Sequence, residues 1–419
     1  MASGAVFRVG FGLVGVFLVA RFYAMGWIDR LYIDPPFHFT YPGFSWVRPW
    51  PGPGMHLHFI VMGLTAAGIA LGYRYRLSAL LFSLTLAYAE LVDRTLYLNH
   101  YYWMALTAAV IAFLPLHASW SLDARSGRTP RRSTIPLGAV WVLRFQVGMV
   151  YVFAGLAKLN PDWLFRAEPL ATWLPGRSHL WLIGPLLTVP AVAFALSWAG
   201  ALFDLTVVGW LSMKRTRLVA YLVLVLFHTM TWLLFPSIGV FPLLMSLGAL
   251  VFFEPDWPAR WLGPAPGSPR EPAHRFSPAR AGIVAVYVTV LIAVPLRHYL
   301  IPGDVKWTGE GYLASWQVML SEKSGSVEFV VTDPSTDATW RVPPPEYLTE
   351  RQVEIMSTDP VMIQQTAELI SAEVGGLPVA ADARLSFNGR LSRPFTDPTV
   401  PIAGTEPNEG SWVLAEPGS

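Results

Sequence analysis

The sequence predicts an α-helical polytopic membrane protein of about nine transmembrane helices with a C-terminal extracytoplasmic α+β domain. Hydrophobic residues make up 53% of its 419 residues and charged residues only 14%, which is too apolar for a soluble chain of this length. Apolar stretches of about 20 residues recur as far as Leu296 and then stop. We therefore divide the chain into a transmembrane helical domain (1–298), an extracytoplasmic α+β domain (299–400) and a flexible tail (401–419).

Nine apolar segments are candidates for membrane crossings. The first, Val6–Ala24, is long enough to span and lacks a small-residue cleavage site, so it predicts a transmembrane helix and not a signal peptide. The others are, approximately, His56–Leu71, Leu77–Leu91, Tyr101–Leu116, Pro136–Ala157, Val189–Leu211, Leu218–Phe235, Val240–Phe253 and Ala281–Leu296.

Basic residues in alternate loops predict the orientation of these segments. Loops rich in lysine and arginine remain in the cytoplasm, which puts the N-terminus inside and the block after His298 outside. We therefore expect an integral multi-pass protein with its active site and C-terminal domain on the extracytoplasmic or luminal side. The basic residues are Arg74, Arg76, Arg125, Arg128, Arg131, Arg132, Lys214, Arg215, Arg217, Arg260, Arg270, Arg275 and Arg280.

The block after His298 has the patterning of a small folded domain. Ser326–Thr332, Thr339–Val342 and Arg384–Phe387 alternate like short strands, and Thr349–Val374 predicts one or two helices. From Pro398 onward the chain is rich in proline, glycine and glutamate, so we expect this tail to run free.

Several function classes are excluded or disfavoured. Cysteine is absent, so no disulfide, thiolate nucleophile or cysteine metal site can form. The sequence contains no P-loop, dinucleotide fingerprint, G-x-S-x-G elbow or H-E-x-x-H pair, which leaves soluble hydrolase and kinase interpretations without support. We expect no metal site and no nucleic-acid partner.

Polar residues inside apolar helices are costly and therefore are the candidates for function. Arg144, Tyr151 and Lys158 are spaced by seven residues, close to two helical turns, and so lie near one stripe of their helix. Gly148 and Gly155 lie between them and would let another helix or a flat ligand approach.

We expect Lys158, Asn99 and His100 to lie together near the outer surface, with His228 about two turns deeper. A lysine in an apolar, aromatic pocket would lose affinity for its proton and become a neutral amine able to act as a base. Structural alternatives remain open, because Lys158 could snorkel to the interface and His100 could belong to an interfacial aromatic belt.

Arg144 and Asp204 have a structural interpretation. In antiparallel helices both residues would lie roughly 21 Å below the outer face at 1.5 Å per residue, which predicts a buried structural ion pair.

The segment from Val150 to Trp163, which contains Ala157-Lys158-Leu159-Asn160, resembles the corresponding motif of vitamin K-dependent gamma-glutamyl carboxylases. The sequence departs from the family's pattern in having one lysine instead of a pair, Tyr97 where a tryptophan is usual, and no basic residue and histidine near Ser321 and Lys323. Further segments similar to that family, in the family's order, are Leu98–Tyr101, Arg144 with Gln146, Phe227–Met230, Ser237–Gly239, Glu254–Pro258, Trp307 with Thr308, Gly311–Trp316, Met319, Asn388–Arg390 and Phe395–Pro398.

This resemblance implies an enzyme that oxidises a reduced naphthoquinone with O2 to its epoxide and uses that energy to carboxylate the γ-carbon of glutamate. Lys158 matches the family's base, and Asn99 and His100 match residues that position the quinol. His228 matches a further histidine near the pocket. The substrate-binding residues are then Tyr151 on the lysine helix and the glutamate-presenting segment with Tyr312, Ser315, Trp316 and Met319.

The resemblance also implies the cofactor and the partners. We expect reduced vitamin K, as phylloquinol or menaquinol, with O2 and CO2 as co-substrates. The partners would be a glutamate-containing protein or peptide and membrane lipid, and a quinone reductase is a candidate partner. Two alternatives remain, a quinol epoxidase without carboxylation and a non-catalytic quinone-binding or transport protein.

Overall fold

The computed structural model describes residues 2–132, 134–262, 277–403 and 412–416, and most of them are helical. Two of the basic residues used to predict the orientation, Arg270 and Arg275, lie outside these ranges. The α-helices in the described residues are α1 Ala2–Ala24, α2 Gly54–Leu71, α3 Tyr75–Val92, α4 Asn99–Phe113, α5 Leu122–Arg125, α6 Leu137–Ala157, α7 Pro161–Arg166, α8 Leu170–Trp173, α9 Pro190–Ser212, α10 Arg217–Leu234, α11 Phe241–Ala249, α12 Ala259–Leu262, α13 Pro278–Leu296, α14 Val305–Thr308, α15 Glu350–Met356 and α16 Pro360–Glu373.

Seven helices in the described part of the chain are long and apolar enough to cross a membrane: α1, α2, α3, α6, α9, α10 and α13. The other two predicted crossings correspond to α4, which has 15 residues, and to the short apolar segment Phe241–Phe252. The predicted class, a multi-pass helical membrane protein with an outer α+β domain, is confirmed. The count of nine crossings stays a prediction.

Glycines allow two helix pairs to pack at backbone distance. On α1, a Cβ at Gly12 would lie 2.4 Å from the backbone nitrogen of Ala70 on α2. On α6, a Cβ at Gly155 would lie 2.9 Å from the backbone nitrogen of Leu205 on α9. The glycine side of α6 therefore faces α9, and this contact sets the height of α9 against α6.

The outer end of α9 extends well beyond the end of α6. Asn160 caps α7 by accepting a hydrogen bond from the Trp163 backbone, and the Trp163 indole donates to the Ser197 carbonyl at 2.8 Å. The first two turns of α9 therefore lie beside α7, above α6. Asp204 is two further turns along α9, level with the end of α6.

The outer domain is a four-stranded antiparallel sheet covered by two helices. Its strands, in the order β2-β1-β3-β4, are β1 Lys323–Asp333, β2 Ala338–Val342, β3 Val379–Phe387 and β4 Arg393–Pro394. Val327, Phe329 and Val331 alternate into the core, where they meet residues of α16. The three predicted strands and the helical segment are confirmed, and Asp359 and Pro360 divide that segment because they cap and start α16.

Parts of this domain differ from the prediction. β3 begins at Val379, earlier than predicted. The sequence did not indicate this start, because Val379, Ala380 and Ala381 are all buried and show no alternation of apolar and polar residues. The tail was expected to run free, and residues 404–411 and 417–419 lie outside the described ranges. For the tail residues that the structure describes, the expectation is wrong. Ile402 and Trp412 are fully buried in the domain core, where burial of apolar side chains is favourable.

The outer domain is docked on the membrane domain above the α3–α4 connection. Arg94 pairs with Asp359 at 2.9 Å, and the Gln352 side chain donates to Asp93 at 3.0 Å. The loop between α1 and α2 inserts Phe39, which is fully buried, into the outer core. The two domains therefore share part of one core.

A second contact joins the domains next to the lysine motif. The carboxylate of Asp162 accepts hydrogen bonds from both ends of the Arg390 guanidinium, at 2.7 and 2.8 Å, and from the Asn388 amide at 2.8 Å. Burial alone would raise the pKa of Asp162, but the hydrogen bonds from Arg390 and Asn388 hold this pKa below its ordinary value.

This contact should make stability depend on acid pH. Because the folded-state pKa of Asp162 is depressed, its contribution is complete above the unfolded value of about 3.9 and is lost as the pH falls through the folded value. We expect Arg390→Gln to lower the free energy of unfolding by about 1–2 kcal/mol at neutral pH, since Arg390 is partly exposed. Thermal unfolding between about pH 7 and pH 2 would measure both effects, because the loss falls below the unfolded pKa. The prediction fails if Asp162→Asn retains the acid sensitivity of the unsubstituted protein.

Candidate active site

Lys158 lies at the C-terminal end of α6, and only 8% of its side chain is exposed. Its Nζ donates to Asp204 Oδ2 at 2.8 Å and to the Ala154 carbonyl at 3.4 Å, and it lies 5.0 Å from the centroid of the Trp163 ring. A snorkelling lysine would extend its ammonium to water. The structure instead buries Lys158 in an ion pair.

The predicted ion pair between Arg144 and Asp204 is wrong. Arg144 donates to the carbonyls of Val251 and Phe252 at 3.1 and 3.0 Å, whereas Asp204 pairs with Lys158. The prediction assumed that α6 and α9 end at the same height. Because α9 extends beyond α6 to pack beside α7, Asp204 is raised to the level of Lys158.

His228 on α10 is held by Tyr151 on α6. The Tyr151 hydroxyl lies 2.7 Å from His228 Nε2, and both side chains are buried. His228 Nδ1 is buried and has no hydrogen-bond partner among the described residues. The imidazole therefore has a fixed orientation and one nitrogen available for a ligand.

Lys158, Asp204, Tyr151 and His228 line one cavity, which we call the Lys158 cavity. Its empty volume, which includes space open to solvent, is about 890 Å³. The remaining lining is almost entirely apolar and aromatic, with Thr231 as a further polar side chain. The site thus combines a few polar groups with walls suited to a flat apolar ligand.

Asn99 and His100 line a neighbouring cavity, which we call the Asn99 cavity, with an empty volume of about 1330 Å³. The expected convergence of Lys158, Asn99, His100 and His228 is therefore divided between two cavities. These cavities share an apolar wall formed by Phe235, Ile238, Phe241, Val318 and Met319. The two cavities therefore adjoin one another at these side chains.

Of the four residues expected to present a substrate, only Met319 lines the two cavities. Tyr312 pairs with Ser321 at 3.1 Å, the Ser315 hydroxyl donates to the Tyr312 carbonyl, and Trp316 is buried against Tyr102. Burial raises the pKa of Tyr312 to about 12, so its hydroxyl stays protonated. These three side chains hold the segment that carries Met319.

The backbone of this segment is strained. Ala314, Trp316 and Met319 have φ values of 57°, 59° and 52°, in the left-handed region that residues with a Cβ rarely adopt. Each costs on the order of 1–2 kcal/mol, which the surrounding packing must offset. The fold therefore holds Met319 in its place in the shared wall.

The sequence reasoning missed two residues that position Asn99. The Tyr97 hydroxyl donates to Asn99 Oδ1 at 3.0 Å and accepts from the Ala314 backbone at 2.7 Å. Glu90 Oε1 accepts from the Leu98 backbone at 3.2 Å. Glu90 could have been found as an acid inside an apolar helix. Only the departure from the family's tryptophan pointed to Tyr97.

These features define a polytopic membrane protein with an apolar cavity that contains a few polar groups between its helices, together with an extracytoplasmic α+β domain. Residues 1–257 match the HTTM domain, and residues 277–417 match the lumenal domain of vitamin K-dependent gamma-carboxylase. The chain belongs to the vitamin K-dependent gamma-carboxylase family. No solved structure gives a significant match.

Family membership has consequences for location and function. The protein is a multi-pass membrane protein whose C-terminal domain lies on the lumenal side. The family supports a vitamin K-dependent, carboxylase-like function that acts on a glutamate-containing protein.

Proposed function

We propose that this protein carboxylates the γ-carbon of glutamate and couples this reaction to the oxidation of reduced vitamin K by O2 to its epoxide. The observation that carries the proposal is the buried pair of Lys158 and Asp204 in an apolar cavity of a chain of this family. Lys158, Asn99, His100 and His228 are the proposed catalytic residues.

The lining of the Lys158 cavity is chemically suited to a naphthoquinol. Its apolar and aromatic walls suit a fused ring, and its polar groups can meet the ring oxygens. When bound and reacted with O2, the quinol supplies the strong base that a weakly acidic glutamate γ-hydrogen requires. The helices exclude water, which would otherwise quench that base.

The pair of Lys158 and Asp204 can prepare an amine to accept the quinol proton. Along their 2.8 Å contact, the Lys158 ammonium can transfer its proton to the Asp204 carboxylate, giving a neutral amine and a carboxylic acid. A low-dielectric site favours such a neutral pair over separated charges. Lys158 then accepts a proton from the quinol hydroxyl.

His228 and Tyr151 can orient the quinol. If the Tyr151 hydroxyl donates to Nε2, then Nδ1 carries the imidazole proton and can donate it in a hydrogen bond to a quinol oxygen. This role requires no net charge in the apolar cavity.

The test supplies purified protein with reduced vitamin K or menaquinol, O2, labelled bicarbonate and a glutamate peptide, and measures epoxide and fixed label. Formation of both products would support the carboxylase. Epoxide without fixed label would favour the quinol epoxidase, and no epoxide from well-folded protein would leave a quinone-binding or transport protein. A matched glutamine peptide and an anaerobic sample are the controls.

We also expect Tyr97→Phe to lower carboxylation about 3- to 10-fold, because one hydrogen bond to Asn99 is lost while the ring remains. Burial raises the pKa of Tyr97 well above its ordinary value, so the native hydroxyl remains a donor to Asn99. Tyr102→Phe is the matched control, since the Tyr102 hydroxyl makes no hydrogen bond with a described residue. Equal rates for the two variants would contradict a positioning role for Tyr97.

A further inference from the structure

The Asn99 cavity contains an arginine whose side chain has no partner among the described residues. Arg177 ends the turn Leu174–Arg177 and lines this cavity in a half-buried position. Its guanidinium makes no hydrogen bond or ion pair with any residue that the structure describes. Its side-chain nitrogens are not buried, so an anion that enters the cavity can pair with them.

Other groups in the same cavity are also suited to an anion. Tyr97 occupies the amide oxygen of Asn99, so its amide nitrogen remains available as a donor. His100 is 94% buried, and its Nε2 has no partner among the described residues. The acid of this cavity, Glu322, accepts a hydrogen bond from the Trp173 indole and does not pair with Arg177.

Other cations near the site are already engaged. Lys323 donates to the Trp307 carbonyl at 2.8 Å and does not line the Asn99 cavity. Arg297 donates to the carbonyls of Val294 and Leu313. Arg21 packs over the Trp27 ring at 4.9 Å and lines a different cavity, together with His100 and Gly239.

We infer that Arg177 binds the side-chain carboxylate of the glutamate substrate in the Asn99 cavity. This inference rests on the proposed function and adds to it the residue that selects the substrate. A planar guanidinium can donate two parallel hydrogen bonds to a carboxylate, which a glutamine amide cannot match. The Asn99 cavity adjoins the Lys158 cavity at residues that line both, including Met319, so the bound side chain lies next to the proposed quinol site.

The test measures peptide binding to the full-length protein without quinol, using a short peptide with one central glutamate and its glutamine counterpart. We expect Arg177→Gln to raise the Kd of the glutamate peptide about 10- to 100-fold and to leave that of the glutamine peptide nearly unchanged. Arg177→Lys should recover part of the affinity, since it restores charge without the planar fork.

Two control variants and one kinetic measurement complete the test. His179→Gln changes an exposed residue of the same loop, and Arg21→Gln removes the cation that lines a different cavity with His100. In turnover, Arg177→Gln should raise KM for the peptide far more than it lowers kcat.

The inference is overturned if Arg177→Gln binds the glutamate peptide as tightly as the unsubstituted protein does. It is also overturned if Arg21→Gln alone weakens binding, or if the unsubstituted protein does not prefer the glutamate peptide. Failure of the proposed function would look different, because glutamate-selective binding that depends on Arg177 would persist without epoxide or fixed CO2.

Discussion

Replacement of Lys158 by alanine is expected to lower the rates of epoxide formation and CO2 fixation together, by about 10²- to 10⁴-fold. The amine is the proposed proton acceptor for the quinol, so its loss removes the step on which both products depend. If the protein only bound or transported quinone, this variant would retain binding or transport. The measurement is initial rates of both products at saturating quinol, compared with quinone binding.

Lys158→Arg is the decisive companion variant. Arginine can keep the ion pair with Asp204 and so preserve the fold, but a guanidinium does not become a neutral base in proteins. We therefore expect Lys158→Arg to be stable and as inactive as Lys158→Ala. A Lys158→Arg protein with substantial epoxidation would show that the cation alone suffices and would contradict the proton transfer.

Asp204→Asn is expected to lower the free energy of unfolding by about 3–5 kcal/mol, because it leaves a buried ammonium without its counter-ion. It should also reduce epoxidation, since Lys158 loses the carboxylate to which its own proton can move. The stability can be measured by detergent-induced unfolding, with activity assayed on the folded fraction.

A double-mutant cycle separates the structural from the catalytic effect. The double variant Lys158→Met with Asp204→Asn removes both charges, and we expect it to recover most of the lost stability while remaining inactive. Arg144→Met serves as the comparison, because Arg144 binds carbonyls of Val251 and Phe252 and should show no coupling with Asp204. Strong coupling between Arg144 and Asp204, with none between Lys158 and Asp204, would contradict the observed pairing.

Much of the fold could be predicted because it follows from local composition. Segments such as Val6–Ala24 satisfy the length that a bilayer imposes, and the alternation of Ser326–Thr332 is sufficient to indicate a strand with one buried face. The start of β3 could not be predicted in this way, since Val379–Ala381 is buried on both faces and shows no alternation of apolar and polar residues. Burial of Trp412 was equally hidden, because a polar, proline-containing tail does not reveal the core it closes.

By itself, the sequence determined the membrane class, the outer α+β domain, the family resemblance and the identity of Lys158, Asn99, His100 and His228 as candidates. These features depend on hydropathy, on the spacing of apolar residues and on short motifs, all of which are local in the sequence. Only the tertiary structure decided that Asp204 pairs with Lys158, that the candidates line two cavities, and that Arg177 has no side-chain partner in the part of the chain that the structure describes. Such pairings depend on the relative height of packed helices. The height of α9 against α6 goes with the hydrogen bond from the Trp163 indole to the Ser197 carbonyl, and no local sequence pattern predicts a contact between residues so far apart in the chain.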